Sequence, residues 1–423
     1  MNAPTEQARP HPGDDDDEGR LRPGYVYVMS NQETGNSVTV FRRGIDGELT
    51  RLKTYVTGGL GIGRSYDLEL ASDPTVSQAS LILSPDERFL FACDAGSNEV
   101  SCLRIVEDRL ELVSRVPSGG IQPVSLTAHE NLLYVANTGG LPPNNPPNPD
   151  ATISGFTIAQ DGKLTPIAES TRSLPGGPSA APSQISFRPD GTQLVVTERQ
   201  TNSIVVFPVD EYGRPGDPVV NQSNGPGPFT ATFHGADVLL VTEVIGVNFT
   251  FGALSTYKVG RDGKLTVISG SVNTTELTSC WTVRSILDPD VEYIANAQSG
   301  TISGVRFNAQ GQITPFPPDG HLVSTRDSHA TQDLAISSDG RFLYCLVAGF
   351  DEKLADPRLP NTHVPGTPFS NRMSLAGFRV EASGSLTPLR GYGVADDPPT
   401  VIGPGLLKLQ EGLAPGSEGL VAI

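Results

Sequence analysis

No apolar run in this chain approaches the roughly 20 residues that a bilayer-spanning helix needs, and no stretch sustains helical periodicity. The first lack argues against a helical membrane anchor in this sequence, and the second against long amphipathic helices. A basic stripe is also missing. The formal net charge is −17 and the sequence pI about 4.7, so the surface repels phosphate backbones and a nucleic-acid partner is not expected. There are only four cysteines, Cys93, Cys102, Cys280 and Cys345. They lie inside strand-like runs without metal-ligand spacing, so no metal centre is expected from them. They read as buried thiols, with a Cys93–Cys102 bridge across one hairpin as the alternative in an oxidising compartment. The first 24 residues lack the apolar middle of a signal peptide, which makes a cytoplasmic protein the default and a secreted one the alternative if a leader has been removed. In the secreted case the sequons at Asn221, Asn248 and Asn273 would matter. No Walker loop, dinucleotide fingerprint or Gly-x-Ser-x-Gly elbow occurs.

What the chain has is punctuation. With 46 glycines and 36 prolines in 423 residues, it breaks into short Val/Ile/Leu/Phe runs, the pattern of many short strands. The punctuation is periodic. Gly-x-Leu/Ile-Thr recurs as Gly47-Glu-Leu-Thr50, Gly162-Lys-Leu-Thr165, Gly263-Lys-Leu-Thr266, Gly311-Gln-Ile-Thr314 and Gly384-Ser-Leu-Thr387. Degenerate copies stand at Asp108-Arg-Leu-Glu111 and Tyr212-Gly-Arg-Pro215. Seven copies spaced by about 50 residues match the period of a four-stranded propeller blade. Asp-Gly pairs between the runs mark tight hairpins.

The fold expected is therefore all-β: one seven-bladed propeller of four-stranded antiparallel blades over residues 25–423, behind an acidic, disordered tail over residues 1–24. The first repeat lacks its opening strand, and a spare strand, Gly419-Leu-Val-Ala-Ile423, remains at the C-terminus. The C-terminal strand is thus expected to complete blade one and remove an open sheet edge. Labelling the strands of a blade a to d in chain order, the a–b and c–d turns are short. The insertions fall on the opposite, looped face, at residues 58–77, 139–150, 173–183, 246–252 and 349–372. Long loops on one face of a rigid scaffold build binding sites.

Two rings of repeat-equivalent residues point to that face. Strand b ends in Asn31, Asp94, Asn137, Glu198, Glu243 and Asn296; strand a begins with Ser80, Gln184, Phe229, Trp281 and Asp333. Asn and Asp also cap their own turns, which is the purely structural reading of the first ring. Glu198 is the candidate general base, with Gln184 and Asn137 orienting a substrate. Asp94, Glu243, Trp281, Phe229, His329 and Asp333 are candidate substrate-binding residues, with Phe249 and Phe251 as further walls. No cofactor is expected. Carboxylates such as Asp94, Glu198 and Glu243, converging with amide oxygens, could instead hold Ca²⁺ or Mg²⁺.

Several segments carry a resemblance: Leu83-Ser-Pro-Asp-Glu-Arg-Phe-Leu-Phe-Ala92, Val195-Val-Thr-Glu-Arg199, Ser279-Cys-Trp281 and Gly412-Leu-Ala-Pro-Gly-Ser-Glu-Gly-Leu420. Over residues 25–423 the chain resembles the lactonase-type seven-bladed propellers, the family of 6-phosphogluconolactonase and fungal carboxymuconate cycloisomerase. The resemblance implies lactone hydrolysis, or the related cyclisation or isomerisation, of a small molecule on the looped face. It also implies an Arg-His pair opening strand a of the middle blade; here Ser183 and Gln184 occupy those positions, and only Glu198 is kept. Without those cations a phosphorylated or carboxylated substrate is disfavoured and a neutral cyclic one favoured. The alternatives are a non-catalytic propeller that binds a partner and a cyclase that works by positioning its substrate.

Overall fold

The computed structural model describes residues 24–63, 74–140, 149–244, 251–325, 329–350, 369–389, 413 and 417–423. The acidic tail up to residue 23 and much of the insertions at 58–77, 139–150, 246–252 and 349–372 lie outside these residues, as does Phe249.

Seven antiparallel sheets follow one another along the chain, six built from strands adjacent in sequence and the first completed by the last strand of the chain. Their first strands are Leu81–Leu83, Pro123–His129, Pro182–Phe187, Pro228–His234, Ser279–Arg284 and His329–Ile336 in blades two to seven. In blade one the first position is filled by Leu420–Ala422, which pairs antiparallel with Gly24–Met29 in the register Val26↔Ala422 and Val28↔Leu420. These seven strands touch one another in a closed circuit. The C-terminus completes blade one, as its spare run of residues predicts.

The repeat motif explains how blades dock. Gly47 has φ +85°, and a Cβ there would lie 2.4 Å from Phe342 of blade seven. Gly162 stands in the same relation to Phe89 of blade two. Glycine is therefore required twice over, for its positive φ and for the aromatic ring pressed against it. A tyrosine on strand b then donates its hydroxyl to the carbonyl of the next blade's motif glycine: Tyr134 to Gly213, Tyr293 to Gly384 (3.0 Å) and Tyr344 to Gly47 (2.6 Å). The last of these joins blade seven to blade one. The core consists of apolar layers between blades, such as Phe89, Phe91, Leu126, Leu133, Val135 and Phe156 between blades two and three.

Two features depart from a plain four-strand repeat. In blades three and six the outer strand is interrupted, so that Arg172–Ser173 and His321–Ser324 pair separately with strand c. The four cysteines are buried and none is in a disulfide. The Cys93–Cys102 alternative fails because the register sets Cys102 opposite Phe91 and Cys93 opposite Val100.

Candidate functional site

The strand-b ring is buried, and most of its side chains bond to neighbouring strands and inter-blade loops. Asp94 accepts from Asn36 Nδ2 (2.9 Å), Thr57 Oγ1 (2.6 Å) and Ser101 Oγ. Burial pushes its carboxyl above the usual range, against those three hydrogen bonds. Glu243 accepts from Gly225 N (2.9 Å), Ser255 Oγ and Ser271 Oγ (2.7 Å). Asn296 binds Ser279, Thr301 and Ser303. Asn31 reaches Glu418 Oε2 at 3.2 Å. Asn137 donates to Thr152 Oγ1 (3.3 Å), while its buried Oδ1 has no partner among the described residues. Asp94, Glu198 and Glu243 bond to separate partners. No group of three His, Cys, Asp or Glu among the described residues is placed to hold a metal.

Glu198 is buried beneath the link between blades three and four. Its Oε1 accepts from Gly176 N (3.3 Å) and its Oε2 from Thr201 Oγ1 (2.7 Å). Desolvation outweighs these two bonds and raises the carboxyl above its ordinary value, the direction expected of a buried proton-exchanging group.

The second ring stands on β-bulges. The register slips between Pro182 and Gln184, Pro228 and Ala231, Ser279 and Thr282, and Thr331 and Leu334. Ser183, Phe229, Trp281 and Asp333 are therefore extra residues in their strands, and a bulge re-aims the side chains it carries. Gln184 follows the bulge of blade four. Its Oε1 accepts from Ala231 N of blade five at 2.7 Å, and its Nε2 has no partner among the described residues. Ser183 Oγ is buried, likewise without one. The register Pro182↔Glu198 sets this pair beside the Glu198 end of strand b. Phe229 and Trp281 pack edge to face, with centroids 5.4 Å apart. Asp333 Oδ2 accepts from Leu420 N at 3.0 Å, tying blade seven to the closing strand. His329 opens the first strand of blade seven. Phe251 is half exposed at the start of its strand.

The segment over residues 75–79, at the end of the insertion at 58–77, crosses the axis. Gln78 Nε2 donates to Thr282 O (2.9 Å) and its Oε1 accepts from Thr282 N (3.0 Å). Ser77 Oγ donates to Val124 O (2.7 Å), and Gln78 N to Ser183 O (3.0 Å). Thr75 binds Glu418, the residue just before the closing glycine and strand, through both its N–H and its hydroxyl. Val76 has φ 50° and packs with Phe229 and Trp281. A β-branched residue in that conformation is a true outlier, held only by surroundings that over-determine it.

The family described as "Lactonase, 7-bladed beta-propeller" matches residues 21–140. A 6-phosphogluconolactonase of Yersinia enterocolitica is 24% identical over 274 residues, 64% of this chain and 73% of that protein. Among solved structures, a putative 6-phosphogluconolactonase from Bacteroides uniformis is similar at 17% identity and TM-score 0.62, covering 95% of this chain and 99% of that one. The periplasmic gluconolactonase of Pseudomonas aeruginosa is similar at 16% identity and TM-score 0.62, covering 94% and 98%. At such identities the structural likeness speaks for the fold. The chain is thus a seven-bladed β-propeller that over residues 21–140 is similar to the lactonase family.

Proposed function

We propose that the chain is a lactonase-type enzyme that hydrolyses a small, uncharged lactone on its looped face, beside the first strand of blade four. The observation that carries this reading is the pair Ser183 and Gln184. They occupy the positions where the resembling enzymes hold cations, and they offer a buried hydroxyl and a fixed amide donor without partners among the described residues. Neutral donors suit a lactone carbonyl and its developing oxyanion without selecting for an anionic substrate. Glu198, with its carboxyl raised by burial, takes a proton from the attacking water and returns it to the ring oxygen as the C–O bond breaks. Asn137 Oδ1 is a further acceptor for a substrate hydroxyl. The names of the relatives support lactone chemistry.

The test is hydrolysis of a panel of uncharged lactones beside 6-phosphogluconolactone. The expected result is turnover of a neutral member. It should fall about 100-fold in kcat for Glu198→Gln, and by a similar factor in kcat/KM for Gln184→Ala. Turnover of the phosphorylated lactone alone, or full activity in Glu198→Gln, would overturn the assignment.

A further inference from the structure

A second chemical constellation lies away from blade four, at the seam between blades five and six. Leu265–Leu277 is the outermost strand of blade five, and Glu276 stands one residue from its end. His321–Ser324 is the detached outer strand of blade six, in the register Thr301↔Ser324 and Ser303↔His321. The interruption of that outer strand brings the three side chains together. His321 Nδ1 is 2.9 Å from Glu276 Oε1, and His321 Nε2 is 3.2 Å from Ser324 Oγ.

This is the order of a nucleophile, a base and its orienting carboxylate. A proton on Nδ1 donated to Glu276 leaves Nε2 as the acceptor for the Ser324 hydroxyl. Burial pushes the Glu276 carboxyl up, but hydrogen bonds from His321, Ser299 and Thr301 outweigh it and hold it below its usual range. The hydrogen bond that His321 donates to Glu276 raises its imidazole, with burial opposing and the nearby Asp319 adding to the rise. The His321 side chain is 39% exposed and that of Glu276 14%, so the base is reachable and the orienting carboxylate sheltered. Ser324 is half-buried. Thr275 and Thr278, on either side of Glu276, have φ of 63° and 61°. Two β-branched outliers around one carboxylate are strain of the kind that collects at functional sites.

We propose that Ser324, His321 and Glu276 form a serine acyl-transfer site for carboxylic esters, separate from the blade-four site and independent of the lactonase reading. Ser324 Oγ bonds to the ester carbonyl carbon while its proton passes to His321 Nε2. As the intermediate collapses, the acyl C–O bond breaks and that proton goes to the departing alkoxide. Water, deprotonated by His321, then attacks the acyl carbon; the C–Oγ bond breaks, Ser324 Oγ takes the proton back from Nε2, and the acid is released. Glu276 stays ionised throughout, holding Nδ1–H.

The full chain treated with diisopropyl fluorophosphate tests this by mass spectrometry, since an activated serine forms an Oγ–P bond and expels fluoride. The expected result is one adduct on Ser324. It should be absent in Ser324→Ala and form roughly 100-fold more slowly in His321→Gln and Glu276→Gln, at unchanged melting temperature. No adduct on Ser324, or labelling at the same rate in His321→Gln and Glu276→Gln, would overturn the assignment. Lactone turnover in Ser324→Ala is read in parallel, and its survival separates this site from the one on blade four.

Discussion

Trp281 donates its indole N–H to the backbone carbonyl of Ser77 at 2.9 Å, across a sequence separation of 204 residues and from blade six to the approach to blade two. With the paired bonds from Gln78 to Thr282, it makes residues 75–79 a strap across the axis. Trp281→Phe keeps most of the packing against Phe229 but leaves a buried carbonyl without its donor, which costs about 1–3 kcal/mol. Denaturant unfolding should show that loss as a lower midpoint at unchanged slope.

Closure of the ring rests on a three-residue strand whose Leu420 and Ala422 are buried. Deleting residues 419–423 exposes the edge of Gly24–Met29 and removes the anchor of Asp333. We expect a fall in melting temperature well beyond that of a typical point mutation, together with concentration-dependent aggregation from the open edge. An unchanged melting temperature would show that blade one closes without its C-terminal strand.

Blade six carries a polar pair where other blades are apolar. Arg284↔Glu292 replaces Leu83↔Leu90, Ala128↔Leu133, Phe187↔Leu194, Phe233↔Leu239 and Ile336↔Leu343. Glu292 is fully buried with Arg284 Nε 3.7 Å from its Oε2, and Arg284 also donates to Phe233 O. Arg284→Ala alone should cost about 3–5 kcal/mol by stranding the buried carboxyl. The double change Arg284→Phe with Glu292→Leu, the pair of blade five, should be neutral or stabilising. Thermal unfolding of the single and double variants checks the difference.

Glu198 makes stability depend on pH in a predictable sense. Its carboxyl is raised in the folded chain, so below its ordinary value of about 4.3 both folded and unfolded states hold the proton and the group contributes nothing. Between that value and the raised one the folded state binds more protons, so stability falls as pH rises. Glu198→Gln should therefore match the wild type at pH 4 and equal or exceed it in melting temperature at pH 8. A variant less stable at pH 8 than at pH 4, relative to wild type, would reverse the sign of the shift.

The repeat, the blade count and the C-terminal closure were legible in the sequence because each rests on local chemistry. A turn that needs positive φ demands glycine, as at Gly47, and a half-buried strand demands its run of apolar residues. The looped-face carboxylate Glu198 was legible for the same reason, by its repeat position. The bulges that re-aim Ser183, Phe229, Trp281 and Asp333 were not, because a one-residue slip between paired strands depends on the partner strand and leaves no mark on composition. Nor could the sequence place Ser77 against Trp281, or Glu276 against His321 and Ser324. Those meetings are decided where one blade docks on another and where an outer strand breaks, and local preference along a chain carries no information about distances across it.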